Sequence, residues 1–329
     1  MRNRSAAFRR CSYVVVVGSS AAAEHELRDL AGYLSTIAVA GCDVVILDAS
    51  PRLQFDLNER ILRWVGQHIA VRSEHRTPGG SIDLVRCAAT LAACDKVIVA
   101  ADDVRYNADA IAEVCDLLDA HEVVEPQDYL DPLPWWGGVE TGRILVHRGI
   151  EPQPDHGATF AFRREILAGL HSLAAGDVIA DHVHRLGAAG AEVFVASGVF
   201  VRREPGALSA WFSQRARAAG DDFAQPIKTA FFFSITPLLA LLAVLGGLGL
   251  AGGTAGAIAF ASVGLAIRGR AGAGAFFPLH ACLFAPVWIF ERSVSVYWAL
   301  FRKLSGADED ASRVMEPAGS GRVKVASGE

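Results

Sequence analysis

The sequence is poor in the signatures that would assign it at once. Its six cysteines, Cys11, Cys42, Cys87, Cys94, Cys115 and Cys282, include no CxxC pair. Scattered through apolar stretches, they exclude a zinc site or a disulfide framework and read as reduced core thiols facing a cytosolic compartment. There is no dense basic block, and the formal net charge is −5, so nucleic acid is excluded as a partner. Gly18-Ser19-Ser20 lacks the GxGxxG spacing of a dinucleotide site, and neither a Walker sequence nor a GxSxG elbow occurs. The basic N-terminus, MRNRSAAFRR, is followed by an apolar run of only Tyr13 to Val17, too short for a signal-peptide core. Residues 1–11 therefore read as a basic, flexible arm.

The last absence is the most informative. From Thr229 to Ile267, 39 residues carry no charged side chain. One membrane span needs roughly 20 apolar residues, so this stretch is long enough for a hairpin of two spans. Pro237 and the glycine pairs at Gly246 and Gly252 offer bends. The next loop carries Arg268 and Arg270, which the positive-inside rule puts in the cytoplasm, and two spans return the chain to the side it left. A third apolar stretch, Phe276 to Phe301, is broken by Pro286 and Glu291-Arg292. The expected domains are thus the arm, a soluble domain over 12–225, a membrane region of two or three helices over 226–303, and a small, polar, disordered tail over 304–329.

Within 12–225 the pattern is strand, helix, strand, helix. Tyr13–Val17, with four valines in a row, reads as a strand buried on both faces. Glu24–Ala40 has helical spacing, Asp43–Leu47 is a second strand ending at Asp48, and a helix is expected around Asn58–Val65. His68–Val71 fits a third strand, and Gly79-Gly80 opens a helix through Leu91. Lys96–Ala100 ends in Asp102 and Asp103 and leads into a helix from Asn107 to Ala120. Further on, PQDY reads as a turn, Trp135-Trp136 as either a membrane-interface or a core pair, and Val193–Ala196 and Val199–Arg202 as separate strands. The expected fold is α/β, a mostly parallel sheet flanked by helices and followed by C-terminal transmembrane helices.

Acids at the carboxyl ends of parallel strands lie where open α/β sheets bind ligands. Two carboxylates there can hold a divalent cation, which in turn can hold a diphosphate. The bland alternative is a solvated Asp-Asp turn capping the next helix.

The order of these features resembles the membrane-attached, inverting family 2 glycosyltransferases with the GT-A fold. The resemblance rests on VAADDVRYNADAI, on PQDYLDPLPWW with TGRILVHR, and on SQRARAAGDDFAQP. It implies that Asp48 contacts the nucleotide base or ribose, that Asp103 with Asp102 binds Mg²⁺ or Mn²⁺, and that Asp181 is the general base. It further implies that Gln214 and Arg217 line the diphosphate and acceptor end and that Asp155 lies near the sugar pocket. The activity implied is transfer of a sugar, with inversion, from a nucleotide-diphosphate sugar to a lipid or lipid-linked hydroxyl. The setting implied is the inner membrane, multi-pass, with the catalytic domain in the cytoplasm. Departures from the family pattern, Ala101 in place of the first acid of Asp-x-Asp and Ala218 in place of an aromatic, keep open a non-catalytic relative that binds nucleotide sugars or acts as a scaffold.

Overall fold

The computed structural model describes residues 11–18, 24–72, 83–150, 157–168, 179–209, 211 and 226–304. Asp155, Gln214 and Arg217 lie outside them, as do most of the helix expected before the membrane region, residues 1–10 of the arm and the tail from 305. The chain divides into two units, 1–206 with 261–285, and 207–260 with 286–329.

The first unit is built on an eight-stranded sheet. Its strands are β1 (Cys11–Val17), β2 (Asp43–Asp48), β3 (Gln67–Ala70), β4 (Lys96–Ala101), β5 (Val104–Arg105), β6 (Val123–Leu130), β7 (Thr159–Arg163) and β8 (Val193–Arg203), in the spatial order β3-β2-β1-β4-β7-β6-β8-β5. β1 to β4 are mutually parallel, β6 and β8 pair parallel, and β7 and β5 run against the strands beside them. The sheet is therefore mixed, with two antiparallel insertions in an otherwise parallel array.

The valine run makes β1 an interior strand, between β2 and β4. Tyr13, Val15 and Val17 pack into one apolar layer and Val14 into the other. Full burial of each valine is worth about 1.5–3 kcal/mol. The first layer is closed by α1 (Glu24–Val39), through Leu27, Leu30, Leu34 and Ile37, by α2 (Arg52–Leu62) and by α4 (Ala108–Leu117). The second is closed by α3 (Leu84–Leu91) and α6 (Ile179–Ala188), through Leu84, Val85, Val183 and Leu186. Side-chain caps start α3 and α4: Arg86 N donates to Asp83 Oδ1 at 3.3 Å, and Ala110 N to Asn107 Oδ1 at 2.8 Å.

Several expectations need correction. Cys11 belongs to β1, not to the arm. α2 begins directly after Pro51, six residues before the expected Asn58, because proline's fixed φ suits a helix start. PQDY is not a turn: it continues β6, and the proline falls at a register shift between Pro126 and Gln127, where a missing N–H is tolerated. The two strands expected at 193 and 199 are one, β8. All six cysteines are free thiols.

α5 (Gly137–Ile150) packs against the chain between 265 and 285 through glycines. A Cβ at Gly142 would lie 2.8 Å from Ala285 N, and one at Gly149 would lie 2.1 Å from Leu265 O. Backbone meets backbone there. Phe276 stacks on Phe200 of β8 with centroids 4.1 Å apart. Arg148 donates from Nε to Gly269 O at 3.1 Å and from Nη1 to Ser197 O at 2.8 Å. The stretch 261–285, read from sequence as membrane region, thus belongs to the sheet-bearing unit.

The apolar run forms α7 (Pro226–Gly269), 44 residues in which two helical stretches meet at a kink at Gly247, whose φ of 74° leaves the helical region. α7 is the one helix among the described residues that is long and apolar enough to cross a membrane, and only 11% of its most apolar window is buried. α8 (Ala285–Leu304) follows a short 3₁₀ turn. In the second unit, Thr236 Oγ1 donates to Ser293 O at 3.0 Å, and Phe232 meets Trp288 edge-on. Arg270, expected to mark a cytoplasmic loop by its charge, donates to Phe277 O at 2.7 Å and to Gly274 O at 3.1 Å, and so ties its own turn.

Candidate active site

The carboxyl ends of β1, β2 and β4 are adjacent because the strands are parallel neighbours, and this brings Asp48, Asp102 and Asp103 into one region. Gly18 joins them. Its N–H donates to Asp102 Oδ2 at 3.2 Å, and its carbonyl accepts from Ser50 Oγ at 3.3 Å. Ser50 N in turn donates to Asp48 Oδ1 at 2.8 Å.

Asp48 is 1% exposed. Its Oδ2 accepts from Asn58 Nδ2 at 2.9 Å and lies 3.0 Å from His68 Nε2. Burial pushes the carboxyl up, but the hydrogen bonds from His68, Ser50 and Asn58 together outweigh it and hold the group below its ordinary value. An ionised carboxylate only accepts, so His68 Nε2 carries the hydrogen of this contact. Nδ1 is buried without a hydrogen-bond partner, and the ring stacks on Phe55 at 4.4 Å.

Asp102 and Asp103 form the turn between β4 and β5. Burial, then the charge of Asp103, pushes the Asp102 carboxyl up. Two neighbours fix the turn's backbone: Arg105 Nη1 donates to Asp102 O, and Glu204 N donates to Asp103 O at 2.8 Å. Arg203 Nε donates to Asp103 Oδ2 at 2.7 Å, and Arg203 Nη1 lies 3.6 Å from Asp128 Oδ2. Burial works against the charge on Arg203; Asp103 and Asp128 outweigh it and hold the guanidinium protonated more firmly than usual. Asp103 Oδ1 is buried and has no hydrogen-bond partner. That free oxygen fits a hard cation, which takes oxygen ligands. Among the described residues no group of three His, Cys, Asp or Glu side chains is placed to hold a metal, so such a cation would draw its other ligands from a substrate or water.

Asp181 lies at the third residue of α6, behind the opposite sheet face from α1. A cavity of about 650 Å³ lies on the other flank of the acid turn, lined by Arg28, Tyr33, Arg105, Tyr129, Arg202 and Glu204 among others. None of Asp48, Asp102 or Asp103 lines it. It shares Arg105 and Glu204 with the turn: Arg105 Nη2 and Arg202 Nη2 donate to opposite oxygens of Glu204, at 2.7 and 2.9 Å.

Sequence reasoning missed Arg203, Asp128, Asn58 and His68. The Arg202-Arg203 doublet at a strand end was a usable signal. Asp128 was hidden by reading PQDY as a turn, and nothing local marks Asn58 or His68 as partners of Asp48.

No profile of a known protein family matches the sequence, and no curated protein matches it. Solved structures do resemble it. A mannosyltransferase from Pyrobaculum calidifontis, in complex with GDP-Man and Mn²⁺, is 16% identical with a TM-score of 0.48, covering 88% of this chain and 87% of its own. Glucosyl-3-phosphoglycerate synthase from Mycobacterium tuberculosis, in complex with Mn²⁺, UDP and glucosyl-3-phosphoglycerate, is 15% identical with a TM-score of 0.41, covering 63% of this chain and 77% of its own. The same enzyme with Mg²⁺ and UDP gives 17% and 0.41, covering 63% and 76%. Likeness this remote concerns the course of the chain and assigns neither activity nor residues.

Proposed function

We propose that this protein is a membrane-anchored, inverting glycosyltransferase of the GT-A type, which moves a sugar from a nucleotide-diphosphate sugar to a lipid or lipid-linked hydroxyl at the inner membrane. The observation that carries this reading is the placement of Asp48, Asp102 and Asp103 at adjacent strand ends, with Asp103 Oδ1 buried and unpaired. Ligands of open α/β sheets bind at such ends.

Asp48 acts through its partners. Both of its oxygens are engaged, so it fixes Ser50, Asn58 and His68 as the wall against which the base or ribose rests. Asp103, with Asp102 beside it, would hold Mg²⁺ or Mn²⁺. When bound, the cation supplies positive charge to the diphosphate leaving group. Asp155, Gln214 and Arg217 take the roles that the family resemblance gives them, at the sugar pocket and at the diphosphate and acceptor end. Asp181 accepts the proton of the acceptor hydroxyl as that oxygen attacks the anomeric carbon from the face opposite the leaving diphosphate.

The exposed apolar surface of α7, with Val244, Leu248 and Phe260 more than four-fifths exposed, supports the anchor. An anchor of this kind would favour an acceptor in or at the bilayer. Six free thiols suit a catalytic unit on the cytoplasmic side.

A second reading, a relative that binds the donor without transfer, is favoured by Ala101 and by the Arg203 ion pair that already occupies Asp103. A thermal-shift screen of UDP-, GDP- and TDP-sugars with and without Mn²⁺, followed by transfer assays on Asp181→Asn, separates the two. Transfer is expected from the wild type and abolished in Asp181→Asn, with donor binding intact. Donor binding without metal-dependent hydrolysis or transfer in the wild type establishes the second reading. Full activity in Asp181→Asn removes that residue from its role.

A further inference from the structure

Asp103 is used asymmetrically. Oδ2 accepts from Arg203 at 2.7 Å, while Oδ1 is buried with no partner. A guanidinium is a planar fork that commonly closes on both oxygens of one carboxylate. Here Arg203 gives Asp103 only its Nε edge and extends Nη1 toward Asp128, 3.6 Å away. It straddles two carboxylates, one after β4 and one in β6. The charge of Glu140 also favours the guanidinium, while its own carboxylate is paired with Arg143 at 2.6 Å. The backbone of Arg203 is fixed: its carbonyl accepts from Asp131 N at 3.0 Å, and it pairs with Val104 across the sheet. Only the side chain is placed to move.

We propose that Arg203 is the resident counter-ion of Asp103, and that it exchanges this carboxylate for the donor's diphosphate when a divalent cation enters, pivoting on Asp128. The identity of the diphosphate as part of a sugar donor rests on the glycosyltransferase reading; the exchange does not. A hard cation at Oδ1 would lie within a few ångströms of the guanidinium, and two positive groups on one carboxylate repel each other. The cation therefore gains Asp103 fully only as Arg203 lets go. A released, half-buried guanidinium needs an anion, and phosphate oxygens match its fork. Asp128 keeps the Nη end in place, so the side chain turns and does not swing free. Cation and diphosphate then bind cooperatively, each raising the other's affinity by the same factor. No covalent bond changes.

The test uses the full chain in detergent, Mn²⁺ and inorganic pyrophosphate. Equilibrium dialysis reads protein-bound Mn²⁺ and corrects for Mn²⁺ chelated by free pyrophosphate. Wild type should bind Mn²⁺ weakly alone and about tenfold more tightly with pyrophosphate, within the range usual for coupled sites. Arg203→Met should bind Mn²⁺ alone about tenfold more tightly than wild type and lose most of the enhancement. Arg203→Lys, which keeps the charge but not the fork, should fall between them and carries the test if Arg203→Met does not fold. Asp128→Asn should respond to Mn²⁺ alone as wild type does, but with a weaker pyrophosphate effect. Mn²⁺ affinity unchanged in both Arg203 variants, or a full pyrophosphate effect in Arg203→Met, overturns the proposal. A nucleotide-sugar screen without a single binder would remove the glycosyltransferase reading and leave this comparison intact. Sugar transfer with no change in Mn²⁺ affinity at Arg203 removes only the exchange.

Discussion

Replacing Asp48 by alanine should unfold the first unit early, and the size of the effect follows from its three partners. Ser50 N, Asn58 Nδ2 and His68 Nε2 all point at this carboxylate, which water does not reach. A buried donor left without an acceptor costs about 1–3 kcal/mol. Three such donors, partly relaxed and not additive, should cost about 3–6 kcal/mol. For a unit of some two hundred residues that is a fall in Tm of roughly 6–24 °C. The measurement is thermal unfolding of wild type and Asp48→Ala at neutral pH, repeated in acid. Because the folded carboxyl lies below the aspartate value of 3.8, its contribution is fully present above that value. It is lost as pH falls through the folded value. The gap between the two proteins should therefore stay constant from neutral pH down to about 5 and close only below 3.8. A Tm within about 2 °C of wild type, or a gap that ignores acid, would falsify the picture of Asp48 as a buried hub.

Asp102 should behave in the opposite sense. Its carboxyl is raised by burial and by Asp103, so its ionisation opposes folding and stability falls as pH rises from 3.8 through the raised value. Asp102→Asn should flatten that part of the stability–pH curve, and a curve identical to wild type counts against it. Gly149→Ala should destabilise the first unit by about 1–3 kcal/mol, since the new methyl would sit 2.1 Å from Leu265 O; an unchanged Tm means the two segments part at no cost. Leu248→Asp, on the exposed surface of α7, should lower membrane insertion by about 2.5–3.5 kcal/mol, read as protein lost from the membrane fraction; undiminished retention argues against α7 as an anchor.

Much of the central sheet was legible because local chemistry and tertiary role agree. The valines of β1, the VVIL run of β2 and the VIVA run of β4 are apolar on both faces, and the last two lead into an acid and an acid turn. Asp48, Asp102 and Asp103 could be found on that basis. Their partners could not. Arg203 reaches Asp103 from one hundred residues away, and His68 reaches Asp48 from twenty; pairings at that range depend on strand order, which no local pattern encodes. β6 was misread because proline usually ends a strand, and the register shift that admits Pro126 is a property of the neighbouring strand. The apolar run was legible in composition. Its kink falls at Gly247, within one of the glycine pairs picked out as bends, with a helical stretch on either side of it.

Arg148 is the rivet of the first unit. One guanidinium fastens the carbonyl at the end of α7 to the carbonyl of Ser197 in mid-β8, and the same strand runs six residues on to Arg203. Loss of that one side chain would therefore release two distant segments of the unit together, the stretch at Gly269 and the middle of the strand that carries Arg203.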